Sequence, residues 1–122
     1  MTYFSADTVS EGAAEVYSSE YLNTLTLSGM PYHRLSLKIR ATVILLRNLS
    51  PILGLCNGTR LQITHLGRNI IGGIILTGTC KGQKAYLPQI EITSNPDSDL
   101  GFQLNRRQYP VRLAFAMTIY KS

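Results

Sequence analysis

Residues 34–46, RLSLKIRATVILL, decide how this chain is read. The odd positions Leu35, Leu37, Ile39, Ala41, Val43 and Leu45 are apolar, and the even positions Arg34, Ser36, Lys38, Arg40 and Thr42 are polar or basic. A period of two sends alternate side chains to opposite faces of a strand, so the pattern predicts one buried face and one cationic, solvated face. Ile44 and Leu46 then make both faces apolar, which predicts that the strand ends in a more covered environment.

Downstream, Asn48 to Gly58 reads as a loop with turns at Pro51, Gly54 and Asn57-Gly58. Arg60 to Leu66 alternates again through Leu61 and Ile63. Ile70 to Thr79 is strand-like, with Gly72-Gly73 predicting a bulge or sharp bend. Lys81-Gly82-Gln83 is a turn into Ala85 to Thr93, where Pro88 predicts an edge strand or a bulge. A polar break over 94–99 precedes Phe102 and Leu104, which alternate with Gln103 and Asn105. Short strands at this spacing, without intervening helices, predict a mainly β fold built as a small twisted barrel.

The two ends read differently. TYFSAD at the start is extended, and a short N-terminal helix is expected around Ala13 to Leu25, with Ser18 or Ser19 capping its second part and Ser28-Gly29 and Pro31 stopping it. At the other end Val111 to Met117 is apolar on both sides apart from Arg112, as in a strand of a parallel α/β sheet. The sequence stops at Lys121-Ser122, where a helix is expected to begin, and this reads as a truncated, incomplete α/β sheet.

In 122 residues there is room for one domain or a piece of a larger one. Leu, Ile, Val and Phe number 35, about 29% of the chain, well above the roughly 20% below which disorder is the default. The net charge of +5 hides a division: residues 1–33 carry −4 with no Lys or Arg, and residues 34–122 carry +9. From Arg34 to Lys84 there are eight basic residues and no acid. A unit folded from this stretch carries a positive field suited to a polyanion, unless the charge serves solubility alone.

No apolar run approaches the roughly 18–20 residues that cross a bilayer, and the N-terminus lacks the features of a secretory signal, so no membrane partner and an intracellular site are expected. Cys56 and Cys80 are too few for a disulfide framework or a four-ligand zinc site and are expected as small buried thiols. There is no GxxxxGK[ST] loop, GxGxxG, HExxH or CxxC motif. His33 and His65 lack carboxylate or Cys neighbours at ligand spacing and read as linker or strand-face residues. Neither a catalytic residue nor a metal site is expected.

Two segments carry a resemblance. LSLKIRATVILLRNLSPILGLCNGTRLQIT (35–64) and RRQYPVRLAFAMTIYKS (106–122) closely resemble the Pif-type (petite integration frequency) DNA helicases of superfamily 1B, in particular the Helitron-like group. That family has an LLRNL…GLCNGTRL segment, matched by Leu45 to Leu61, and later an RRQ[FY]P[LV]RLA[FW]A.TI.KSQG segment, matched by Arg106 to Ser122. The resemblance implies a Src-homology-3-like β-barrel inserted in the second RecA-like motor domain of an ATP-dependent 5′-to-3′ DNA helicase. Residues 1–33 are then a motor-domain lead-in, 34–106 the barrel, and 107–122 the return strand and the start of the fifth helicase motif.

The resemblance also implies single-stranded DNA and the missing motor domains as partners. It implies ATP and magnesium as cofactors of the full-length family, and a nuclear role in repair, recombination, mobile-element replication or telomere maintenance. In the fifth motif Thr118, Lys121 and Ser122 would grip a DNA phosphate at a strand end. Arg106 and Arg107 either add backbone contacts or form a solvated strand end. Lys38 and Arg40, with Arg60, offer a sequence-independent DNA track. The family often has Gly where this chain has Arg40, and His or Asn where it has Tyr120. The Gln-Gly expected after Ser122, the phosphate loop and the magnesium-binding acids are missing, so this chain alone is expected not to hydrolyse ATP. The alternatives are a free-standing, non-enzymatic nucleic-acid-binding β-barrel and an inert remnant.

Overall fold

The ribbon expected over residues 34–46 turns a corner. A computed structural model describes residues 1–9, 17–94 and 102–114, and in it Arg34–Ser36 form strand β3 and Thr42–Leu45 form β4. Between them the chain bends at Ile39-Arg40, and Arg40 takes a φ of 77°. Its amide donates to the Ile63 carbonyl at 2.7 Å, and the Ala41 amide turns back to the Lys38 carbonyl at 3.0 Å. The alternation hid this corner because Leu35, Leu37, Val43 and Leu45 are all buried on either side of it. Ile39 is the residue that departs from the pattern, being 52% exposed.

The mainly β class holds: ten strands and one short helix are formed by the described residues. Strands β5 (Arg60–Leu66), β6 (Ile70–Ile75), β7 (Lys84–Pro88) and β10 (Val111–Leu113) join β4 in a five-stranded sheet of order β10-β4-β5-β6-β7. All its pairings are antiparallel. Register puts Val43, Leu61 and Ile75 in one row, with Leu66, Ile71 and Leu87 in another, and these fill the larger core. The opposite face carries Thr42, Gln62, Ile74 and Lys84 in a row. Strand β1 (Thr2–Phe4) pairs with β3, and this ribbon closes the core from the other side through Tyr3 and Leu35.

Among the described residues the sheet has two edges, β10 and β7, so it forms no closed barrel. Pro88 ends the edge strand β7, where its missing N–H costs no ladder bond. The irregularity signalled by Gly72-Gly73 falls on the facing strand: the register of β5 shifts between Ile63 and His65, opposite those glycines. The extra residue turns Leu66 toward the core and leaves His65 exposed on the outer face. The 81–82 turn is present, and the segment beyond it is divided into β7 and β8 (Ile90–Thr93), which belong to different sheets.

The third sheet has the order β2-β9-β8, with β2 at Ala6–Val9 and β9 at Leu104–Gln108. Leu104, Ile92, Leu22 and Met30 form its own smaller core. Leu22 comes from helix α1, Ser19–Asn23, whose cap is Ser18: its Oγ accepts the Tyr21 amide at 3.2 Å. The expected helix over 13–25 is thus observed as one short helix, its residues 13–16 lying outside the described ones. Thr24 ends it by turning its hydroxyl onto the Tyr21 carbonyl at 2.6 Å.

Strand β10 corrects the reading of the C-terminal apolar run. Val111 to Leu113 pair antiparallel with Leu45 to Val43, where a parallel α/β neighbour was expected. The covering that made both faces apolar comes from the segment before β3. Arg112 donates to the Leu27 and Met30 carbonyls and lies 4.4 Å from the Tyr32 ring centroid. Residues 115–117 lie outside the described ones.

Candidate nucleic-acid interface

Arg106 is not at the surface. It is fully buried on β9, and its five N–H groups are all engaged. Nε and Nη2 each donate to a separate oxygen of Asp7 at 2.8 Å. The remaining donors reach the Leu22 carbonyl at 3.0 Å, Leu25 at 3.0 Å and Pro31 at 3.2 Å. Its expected DNA contact is corrected on this geometry, since no donor is left for a phosphate. It joins β2, β9 and the α1 segment.

The other expected cations lie on or beside different elements. Lys38 is exposed and lines a groove of about 370 Å³ beside Thr2, Ser36 and Leu113. Arg40 is exposed at the corner. Arg60 is half-buried at the start of β5, at the end of that strand away from Arg40, and its amide donates to Thr77 Oγ1 at 3.1 Å. Arg107 is exposed on β9, between Ala6 and Glu91 in register. Thr118, Lys121 and Ser122 lie outside the described residues. Lys38 and Arg40 thus share the corner turn between β3 and β4, and Arg60 starts the neighbouring strand β5.

Side chains that sequence reasoning passed over stand on the outer face of that sheet. Lys84 and Tyr86 on β7 are exposed, as is His65 on β5, and Gln62 beside them is half-buried. The signal was present in KAYLP, where alternation buries Ala85 and Leu87 and turns Lys84 and Tyr86 outward.

His33 and His65 are placed as linker and strand-face residues. Ser5 Oγ lies 2.8 Å from His33 Nδ1 and donates to Asp7 Oδ1 at 2.7 Å. Serine and carboxylate sit on the same side of the imidazole, and Asp7 is held by Arg106, so this trio cannot relay a proton as a nucleophile's triad does. Burial raises the Tyr3 phenol, and burial together with the neighbouring Tyr3 pushes Tyr109 up to about 12. Their rings meet edge-on at 4.8 Å, and their hydroxyls donate to the Gly67 and Arg68 carbonyls at the tip of the β5–β6 hairpin.

Cys56 and Cys80 are half-buried free thiols, more exposed than expected. Among the described residues no cluster of three His, Cys, Asp or Glu side chains could hold a metal ion. Among the same residues no helix is long and apolar enough to cross a membrane.

The described residues thus form a mainly β unit with two cores. Residues 20–66 match the family model of the DNA helicase Pif1, 2B domain. Over those residues the chain is similar to that domain, in keeping with the resemblance its motifs led us to expect, and its fold is that of the matching part of solved Pif1 helicases. Bacteroides Pif1 bound to single-stranded DNA superimposes with a TM-score of 0.64 at 17% identity, over 94% of this chain and 24% of that one. Bacteroides Pif1 in complex with ADP-AlF3 and single-stranded DNA gives 0.59 at 17%, over 93% and 24%. Pif1 from Candida albicans gives 0.61 at 19%, over 93% and 28%. The chain thus spans about a quarter of the length of these solved chains. No curated protein matches it.

Proposed function

We propose that this chain supplies single-stranded DNA contacts to an ATP-dependent 5′-to-3′ DNA helicase that acts in the nucleus in repair, recombination, mobile-element replication or telomere maintenance. The observation that carries the reading is a stretch from residue 34 to residue 90 without a single acid, folded so that Lys38, Arg40, Lys81 and Lys84 are exposed. A surface of one sign attracts a polyanion and holds it without regard to sequence.

In this reading residues 34–106 are the insertion, 1–33 lead into it and 107–122 return to the motor, with Thr118, Lys121 and Ser122 on a DNA phosphate. The Gln108 side-chain amide, just after the insertion, donates to the His33 carbonyl just before it at 3.0 Å, and this supports the reading because an inserted domain needs its two ends close together. One observation favours a second reading, a nucleic-acid-binding module that acts alone: the larger core is completed by the chain's own residues.

Fluorescence anisotropy of the full chain with single-stranded DNA over a salt series tests the proposal. The expected slope of log affinity against log salt is about −0.7 per phosphate contacted. Absence of binding at low salt, or affinity indifferent to salt, overturns it. Under the second reading, binding by the chain equals that of the intact helicase; under the first, the intact enzyme binds more tightly.

A further inference from the structure

Tyr86 stands on the edge strand β7 with 58% of its surface exposed, and its register neighbours inward are Gly72 on β6 and then His65 on β5. A Cβ at Gly72 would lie 2.9 Å from Tyr86 Cε1 and 3.2 Å from His65 Cβ. The missing side chain is what gives the Tyr86 ring room to settle against the sheet. Beside it a groove of about 520 Å³ runs to the turn after Ser50 and is lined by Ile52, Leu53, Thr79, Gln83 and Lys84. Ile52 is 91% exposed and Leu53 60%. Large apolar side chains gathered around a concave site with a few polar groups are the usual make-up of a ligand pocket.

Charge selects the occupant. Lys84 lies in the wall and Lys81 in the adjoining turn, and no acid occurs between residues 34 and 90. An apolar peptide gains little from such a field. A nucleotide unit, with a flat apolar base and an anionic phosphate, answers both halves of the site.

We propose that Tyr86, Lys84 and the Ile52-Leu53 turn form a nucleobase subsite for single-stranded nucleic acid, with a base stacked on the Tyr86 ring and a flanking phosphate on the Lys84 ammonium. The subsite rests on the reading of the chain as a single-strand-binding part of a helicase, and it adds a grip on bases to the grip on phosphates. Stacking tolerates any base, so the subsite holds a strand without reading its sequence. Gln83 at the rim supplies a hydrogen bond to a base edge.

The test compares a labelled oligothymidylate with an abasic strand of equal length, using the full chain and its Tyr86→Ala, Tyr86→Phe and Lys84→Ala variants. Both positions are exposed, so urea midpoints close to wild type are expected for each variant. Tyr86→Ala weakens oligothymidylate binding about tenfold, Tyr86→Phe leaves it nearly unchanged, and the abasic strand is indifferent to either. Lys84→Ala lowers the salt slope by about 0.7. Equal binding by wild type and Tyr86→Ala, or the same loss on the abasic strand, overturns the subsite and leaves the broader reading in place. A wild-type chain that binds neither strand overturns both.

Discussion

Asp7 and Arg106, ninety-nine positions apart, form a bidentate ion pair with both contacts at 2.8 Å and both side chains sealed from solvent. Two charges removed from water are tolerated because every guanidinium N–H is met, two by Asp7 and three by main-chain carbonyls. The pair ties β2 to β9 across the third sheet. Removing the carboxylate alone strands a buried cation, so Asp7→Ala is expected to cost about 3–5 kcal/mol in urea unfolding. Arg106→Met strands the Asp7 carboxylate in the same way and is expected to cost as much or more, whereas the Asp7→Ala/Arg106→Met double variant, which leaves no buried charge, should cost less than the sum of the two singles. A cost for Asp7→Ala below about 1 kcal/mol, the size of an exposed pair, would contradict the buried geometry.

At the corner before β4, Arg40 holds a φ of 77°, a region that costs an L residue about 1–2 kcal/mol. Glycine enters it freely, which gives a physical reason for the Gly that the resembling family often has at this place. Arg40→Gly is expected to raise stability by about 0.5–1 kcal/mol after its greater chain entropy is counted. Arg40→Val, branched at Cβ, is expected to lower it. The urea midpoints of the two variants should fall on opposite sides of wild type, and a shift of both in the same direction would refute the account.

Tyr109 titrates near 12 in the folded chain, against about 10 for an unfolded tyrosine. Between those values the folded state holds a proton that the unfolded state has lost. The stabilising preference is complete below pH 10 and is lost as pH rises toward 12. Tyr3, also raised, acts in the same direction. Stability followed by urea unfolding from pH 9 to pH 11.5 should therefore fall, and Tyr109→Phe should flatten the fall. An identical slope in the variant would show that Tyr109 is not the group responsible.

Much of the fold was legible because burial writes itself into spacing. The alternation at Leu35 to Leu45, the Asn57-Gly58 turn and Pro88 on an edge all express local rules. What the sequence concealed was long-range. Nothing near Arg106 announces Asp7 as its partner, and the covering of β10 by Tyr32 and the Met30 carbonyl depends on a segment some eighty positions away. Even spacing carried the buried set straight across the bend at Arg40, so one strand was read where two sheets diverge. At the outer face, nothing in the local spacing of Tyr86 points to Gly72, its register partner on β6.

Adjacent glycines on β6 separate these two kinds of constraint. A Cβ at Gly73 would meet the Gln62 carbonyl oxygen at 2.8 Å, a backbone atom held by the sheet. A Cβ at Gly72 would meet the Tyr86 ring, an exposed side chain able to swing away. Gly73→Ala is therefore expected to cost about 1–3 kcal/mol, as overpacking of a rigid site does, and Gly72→Ala less than about 1 kcal/mol. The smaller cost should shrink further in a Tyr86→Ala background, because the clash and the ring act on one another. A double-mutant cycle in urea reads that coupling directly. If both glycines cost the same and Tyr86→Ala changes neither, the ring does not rest on Gly72, and the subsite built on its placement loses its support.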